Sequence, residues 1–84
     1  MTIAEYLVEW DPMGFIKDLG APNDEYSYEA ADIKIKFRPS MSTKEVADMV
    51  YDVFDKQIGV QELPDFKDDC NSRAQEISDI LMRG

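Results

Sequence analysis

The spacing of apolar residues along the chain predicts mainly helices. The clearest pattern lies between residues 42 and 59. Ser42 and Glu45 form an S-x-x-E sequence, which is typical of a capping box at a helix start, and Gly59 is expected to end the helix. Between them, apolar side chains recur every three or four positions, as on one helix face: Val46, Met49, Val50, Val53 and Phe54.

The C-terminal segment predicts a second long helix, opened by Pro64. Several aspartates in its early turns favour the positive end of the helix dipole. Residues 60–64, VQELP, are interpreted as a short linker whose Leu63 enters the core. Such a short connection predicts that the last two helices are antiparallel neighbours. The apolar face of the C-terminal helix would carry Phe66, Cys70, Ala74, Ile77 and Leu81.

The N-terminal segment predicts a short helix from about Thr2 to Trp10. Ile3, Leu7 and Trp10 share one stripe at helical spacing. The helix should stop there, because the residue before a proline is disfavoured in helical conformation and Pro12 follows closely.

The sequence DPMGFIKDLGAP then predicts a second short helix. Asp11 is the expected N-cap and Pro12 the expected first helical residue. Gly20 suits the left-handed position that ends a helix. Gly14 is unfavourable inside a helix, so we expect it to allow a close approach, with Trp10 packing across this turn. Trp10, Asp11, Pro12 and Gly14 are therefore interpreted mainly as a structural motif.

Residues 32–38, DIKIKFR, are ambiguous. Strict alternation of apolar and basic residues predicts a strand. A wider window places Tyr26, Ala30, Ile33 and Phe37 on one helical stripe, with Asn23 or Asp24 as the cap. Because no other segment alternates cleanly enough to pair with a strand, we favour a helix.

These elements together predict a single all-α domain over residues 1–84. It would be a small compact helical bundle of three main helices plus short N-terminal helices. The alternative is an α+β fold with a short strand at 32–38.

The charge of the chain bears on its partners. Eighteen acidic and nine basic side chains give a net charge of −9, which disfavours nucleic acid and would attract a basic protein. The alternative is that the acids only keep a small protein soluble. No apolar stretch is long enough for a membrane span, and the N-terminal segment lacks the features of a secretory signal. A lone cysteine, Cys70, cannot form an internal disulfide and suits the cytoplasm.

Candidate catalytic chemistry is sparse. The absence of histidine removes the commonest general base and the usual transition-metal ligand. The four glycines are too scattered for a phosphate-binding loop. Cys70 lies on an apolar face and is interpreted as an inert core thiol. We therefore expect a non-catalytic protein without a cofactor.

Two runs of acidic residues at helical spacing are interpreted as solvated helix faces. Glu25, Glu29 and Asp32 share one side of a predicted helix, and residues 48, 52 and 55 repeat the pattern. The alternative is a carboxylate site for a divalent metal or a small molecule.

Aromatic residues concentrate in the first third of the chain. Tyrosine and tryptophan beside acids are typical of protein-contact surfaces, although the same side chains also fill small cores. The candidate partner patch consists of Tyr6, Trp10, Asp11, Phe15, Tyr26, Tyr28 and Glu29.

The W-D-P-x-G motif resembles a bacterial family of small helical proteins, the domain of unknown function 1871 family. The residues that carry the resemblance are Leu7, Trp10, Asp11, Pro12, Gly14 and Phe15, and more loosely Tyr28, Glu29 and Asp32. The resemblance implies a small α-helical cytoplasmic protein and favours a helix over 32–38. It implies no activity, since the family has none assigned.

The leading functional hypothesis is a non-catalytic protein-interaction module that binds a basic partner. An immunity-type inhibitor of a basic toxin or nuclease is one alternative, by analogy of composition only. A carboxylate-based binder of divalent metal or a small molecule is another. Homo-oligomerisation through an exposed Ile33/Phe37 face is a further hypothesis.

Overall fold

The computed structural model describes residues 1–22 and 24–83. These residues form five helices and, within the described ranges, no strand: α1 (Ile3–Trp10), α2 (Phe15–Leu19), α3 (Ser27–Lys36), α4 (Thr43–Gln57) and α5 (Phe66–Arg83). The predicted all-α fold is confirmed. The alternative strand at 32–38 is wrong, because this segment continues α3 through Lys36 and Ile35 is 70% exposed.

The core is shared by α1, α3, α4 and α5. α4 and α5 contact each other more extensively than any other pair of helices. α3 packs on α4, and α1 packs on both α3 and α5. The predicted stripes of the two long helices are confirmed as buried, apart from the half-buried Leu81. Fully buried side chains include Val46, Val50, Val53, Phe54, Cys70 and Ile77.

Capping boxes start two of the helices. Ser42 Oγ accepts a hydrogen bond from the Glu45 N–H, and Glu45 Oε1 accepts one from the Ser42 N–H, as predicted. Thr2 and Glu5 form the same reciprocal pair at the start of α1. Each box satisfies two backbone donors that a helix start otherwise leaves unpaired.

The connection between α4 and α5 differs from the prediction. Leu63 is 43% exposed, whereas Val60 is fully buried. The Val60 N–H donates to Asp55 Oδ1, which holds this part of the connection against the end of α4. The helix then begins at Phe66, two residues after Pro64.

The junction between α1 and α2 also corrects the prediction. Asp11 ends α1 in a left-handed conformation, φ 48°, with its N–H donating to the Leu7 carbonyl oxygen at 2.8 Å. α2 begins only at Phe15, so Asp11 is not its N-cap and Pro12 not its first residue. Gly20 ends α2 in the left-handed conformation, as predicted.

Gly14 has a different role from the one predicted. It precedes α2 with φ 71°, a conformation that L side chains rarely adopt. A Cβ at this position would meet Asp18 Oδ2 at 2.7 Å, and neither Trp10 nor a neighbouring helix approaches it as closely. Glycine is therefore required here by the backbone turn and not by the packing of Trp10.

The start of α3 has no side-chain cap. Tyr26 occupies the N-cap position without a side-chain cap, so Asp24 is not the cap. Asn23, the other predicted cap, lies outside the described residues. The first turn of α3 thus begins without the usual side-chain acceptor.

Candidate functional site

The residues of the candidate partner patch do not form one exposed surface. Trp10 and Phe15 are half-buried, and only Tyr28, at 77%, is well exposed. The other members of the patch are buried: Tyr6, Asp11, Tyr26 and Glu29. Most of the aromatic residues in the first third of the chain therefore contribute to the packing of the interior.

Asp11 joins three parts of the chain through its carboxylate. Oδ1 accepts hydrogen bonds from the Tyr26 hydroxyl at 2.5 Å and from the Ile16 N–H at 3.2 Å, and Oδ2 accepts one from the Lys17 N–H at 3.0 Å. The Tyr26 hydroxyl in turn accepts from the Met13 N–H at 3.2 Å. Asp11 therefore still satisfies donors at the start of α2, from a position before the helix.

The ionisation of this pair follows from its surroundings. Burial pushes the pKa of Asp11 up, but the hydrogen bonds from Tyr26, Lys17 and Ile16 outweigh it and hold the pKa below its ordinary value. Burial and the neighbouring carboxylate raise the pKa of Tyr26. The Asp11 carboxylate is thus held in place by three hydrogen bonds. We therefore interpret the Trp10–Gly14 motif as structural.

Trp10 packs against two residues of α5. Its ring stacks on Phe66 with centroids 5.7 Å apart, and the Arg73 guanidinium lies 4.9 Å from its centroid on α5. Arg73 also donates to the Tyr6 hydroxyl at 3.0 Å, which donates to Glu76 Oε1. These contacts attach α1 to α5 and leave Trp10 half-buried.

An open acidic cleft of about 450 Å³ lies where α2, the start of α3 and the end of α4 meet. None of the described residues that line it is a lysine or an arginine. The lining residues are Phe15, Asp24, Glu25, Ser27, Tyr28, Glu29, Gln57 and Ile58.

Glu29 forms the floor of this acidic cleft. It is 5% exposed, the most buried of the lining residues, although the helical pattern predicted a solvated face. Its Oε1 has no hydrogen-bond partner within the described part of the protein. Burial raises the pKa of the Glu29 carboxyl, partly opposed by its own backbone N–H, and the charges of Glu25 and Asp32 raise it further.

The spacing of residues along α3 indicates that Glu29 is buried, although its charge suggests exposure. Residues 26, 29, 30 and 33 follow the helical stripe of α3, and all four are buried. No local pattern predicts that Gln57 and Ile58, at the end of α4, complete the cleft. That contact depends on how α3 packs against α4.

A second groove, of about 420 Å³, separates the ends of α1, α3 and α5. Phe37, Ile80 and Leu81 line it together with Lys34 and Arg83. Ile33 is fully buried, so the predicted Ile33/Phe37 oligomerisation face is not an exposed surface.

The other sequence predictions concern the cysteine, a metal site and a membrane span. Cys70 is buried, and burial raises the pKa of its thiol to about 12. Within residues 1–22 and 24–83, no group of three or more potential ligands is arranged to hold a metal ion. No helix in the same ranges is long and apolar enough to cross a membrane.

Comparisons of the chain with protein-family models, with curated proteins and with solved structures found no match. The resemblance to the domain of unknown function 1871 family therefore stays a prediction. The motif that carries it, W-D-P-x-G, lies at the α1–α2 junction, where its Asp and Gly have the structural roles described above.

Proposed function

We propose that the chain is a non-catalytic protein-interaction module of the cytoplasm that binds a basic protein partner at the acidic cleft. One observation carries the proposal. Three carboxylates, from Asp24, Glu25 and Glu29, line a single cleft in which no described lining residue is basic.

The overall charge supports this proposal. A net charge of −9 on 84 residues attracts a basic partner from a distance and speeds its encounter. Because salt screens such attraction, binding should weaken as ionic strength rises. An immunity-type inhibitor of a basic toxin is one form of this function and makes the same prediction.

The rim of the cleft adds apolar contact area. Tyr28 is 77% exposed and Ile58 38% exposed, and the half-buried Phe15 lies beside them. Aromatic and aliphatic groups around a charged centre are typical of interface anchors, because they exclude water from the charged contact. The rim would therefore strengthen the electrostatic attraction at short range.

The test is capture of partners from native lysate on immobilised protein. Washes at about 0.1 M and about 1 M salt compare Debye lengths of about 10 Å and 3 Å. The double variant Asp24→Asn/Glu25→Gln removes two cleft charges. Its matched control, Glu9→Gln/Asp68→Asn, removes two exposed charges outside the cleft.

We expect basic proteins that are retained at low salt, released at high salt and lost with the cleft variant only. Equal capture by both double variants would contradict the cleft as the binding surface. Capture of no protein at either salt concentration would contradict the proposed function itself.

A further inference from the structure

We propose that the acidic cleft receives a single lysine or arginine side chain of the partner and that Glu29 binds its ammonium or guanidinium group. This assignment rests on the proposed function, because the basic partner supplies the side chain. The added claim is that Glu29 forms the central contact and that the bound group is an ammonium or a guanidinium.

The first reason is the unpaired state of the Glu29 carboxylate. Oε1 is buried without a hydrogen-bond partner among the described residues. Buried polar groups in folded proteins are nearly always paired, and an unpaired carboxylate is costly. A cationic donor entering the cleft would supply the missing partner once the Glu29 side chain turns Oε1 towards it, so the strongest contact would form only in the complex.

The second reason is the sign of the potential in the cleft. Asp24 and Glu25 line the cleft together with Glu29, and no basic residue is among the described lining residues. The positive end of α3 acts in the opposite direction, with the equivalent of about half an elementary charge. Three carboxylates exceed that charge, so the cleft favours a cation over a neutral donor.

The third reason is the size of the cleft and the hydrocarbon in part of its lining. A volume of about 450 Å³ is much larger than a bare ion, and the described residues contain no cluster of ligands for a metal. Phe15, Tyr28 and Ile58 present hydrocarbon surface beside the carboxylates. Lysine and arginine match this combination, because an apolar stem carries their charged end group.

The surroundings favour a side chain carried by a protein over a free amine. Tyr28 and Ile58 remain exposed at the rim, where a polypeptide backbone would pass and cover them. A small free amine would leave these side chains in water. We therefore assign the cleft to a protein-borne cation.

The experiment is an NMR titration of the backbone amide signals with Nα-acetyl-lysine N-methylamide. The matched probe, Nα-acetyl-norleucine N-methylamide, has the same hydrocarbon stem without the ammonium group. We expect saturable shifts at residues 24–29 and 57–58 with the lysine probe only. Equal shifts with the norleucine probe would overturn the proposal.

Variants identify the contact residue. Glu29→Gln preserves the shape and removes the charge, and it should weaken lysine-probe binding about tenfold or more, as expected for the loss of a charge-assisted bond. Glu9→Gln makes the same charge change on an exposed part of α1 and should stay within about twofold. Equal affinities of the two variants would overturn the role of Glu29.

Two further measurements complete the test, one with a second variant and one with a free amine. If Glu29→Gln does not fold, Glu25→Gln is expected to weaken the lysine probe several-fold, and unchanged affinity would overturn the proposal. Cadaverine tests the free-amine source, and tighter binding of cadaverine than of the lysine probe would overturn the assignment to a protein side chain.

The outcomes separate this inference from the function on which it rests. A partner captured equally well by wild type and Glu29→Gln would overturn the role of Glu29 and leave the interaction function standing. Failure to capture any partner would contradict the function, whereas the lysine titration would still report on the cleft.

Discussion

Replacing Tyr26 with phenylalanine removes one oxygen from the centre of the α1–α2 junction. The ring contacts with Phe15 and Phe54, at centroid distances of 6.2 and 6.0 Å, are retained. Two hydrogen bonds are lost, the one that Tyr26 donates to Asp11 and the one that it accepts from the Met13 N–H.

The size of the effect follows from these two bonds. A hydrogen bond to a charged group contributes about 1.5–3 kcal/mol and one between neutral groups about 0.5–1.5 kcal/mol, which together give about 2–4.5 kcal/mol. A chain of 84 residues has a free energy of unfolding of about 4–13 kcal/mol. The loss is therefore a large share of the total stability.

Urea unfolding monitored by circular dichroism measures this loss. With a slope of about 1 kcal/mol per molar urea, the midpoint of Tyr26→Phe should fall by about 2 M or more. The matched control is Tyr28→Phe, which removes the same oxygen from a side chain that is 77% exposed and should change stability by less than about 0.5 kcal/mol. Equal stability of the two variants would refute the role of the junction.

The cost of Tyr26→Phe should also depend on pH. The pKa of Asp11 is lowered from 3.8 in the folded protein, so its contribution to stability is present above that value and is lost as the pH falls through the folded pKa. The Tyr26 hydrogen bond is one cause of this shift, so the difference between wild type and Tyr26→Phe should narrow under acid conditions. A difference that stays constant from neutral pH down to the pH of acid unfolding would mean that the Tyr26 hydrogen bond does not lower the pKa of Asp11.

Three further predictions use the same unfolding assay or thiol labelling. Gly14→Ala should lower the free energy of unfolding by about 1–2 kcal/mol, because the backbone at this position is left-handed. Adding Asp18→Ala should not restore stability, and a recovery would show that the contact with Asp18 causes the loss. Val60→Ala should cost about 2 kcal/mol, whereas Leu63→Ala should cost less than about 1 kcal/mol; similar losses would contradict their different burial. Cys70 should react with Ellman's reagent at pH 8 only after unfolding, because burial raises the pKa of its thiol to about 12; rapid labelling of the folded protein would contradict this.

Local sequence signals predicted the two long helices well. The Ser42 capping box and the apolar stripe of α4 depend only on neighbouring residues, and both are confirmed. The alternation in residues 32–38 was misleading as a strand signal, because Ile35 is exposed although Ile33 is buried. Helical spacing, extended to Tyr26, gave the correct secondary structure.

Interactions between distant parts of the chain limited the prediction elsewhere. Asp11 was predicted to cap α2 by adjacency, but it ends α1 and reaches the α2 backbone from outside the helix. Its partner Tyr26 lies fifteen residues further along, and no local pattern indicates that pairing. The acidic cleft is similar, since it exists only where α3 meets the end of α4.

Glu29 also shows that an acidic residue on an apolar stripe can be buried. It lies on the apolar stripe of α3, yet its carboxylate led to its interpretation as part of a solvated face. Burial without a partner for Oε1 is the feature that distinguishes it from the other acids of the two predicted acidic faces.

The central question is whether Glu29 contributes to binding or to folding. The free energy of unfolding of Glu29→Gln at pH 7, compared with that of wild type, answers it. Its folded pKa is raised above 4.5, so the stability linked to its protonation is present below that value and lost as the pH rises through the folded pKa. If Glu29 serves to bind a cation, the variant should be at least as stable as wild type at pH 7, and its advantage should disappear near pH 4. A loss of more than about 1 kcal/mol at pH 7, on the scale of a broken buried hydrogen bond, would make Glu29 a structural residue and contradict its role as a cation-binding group.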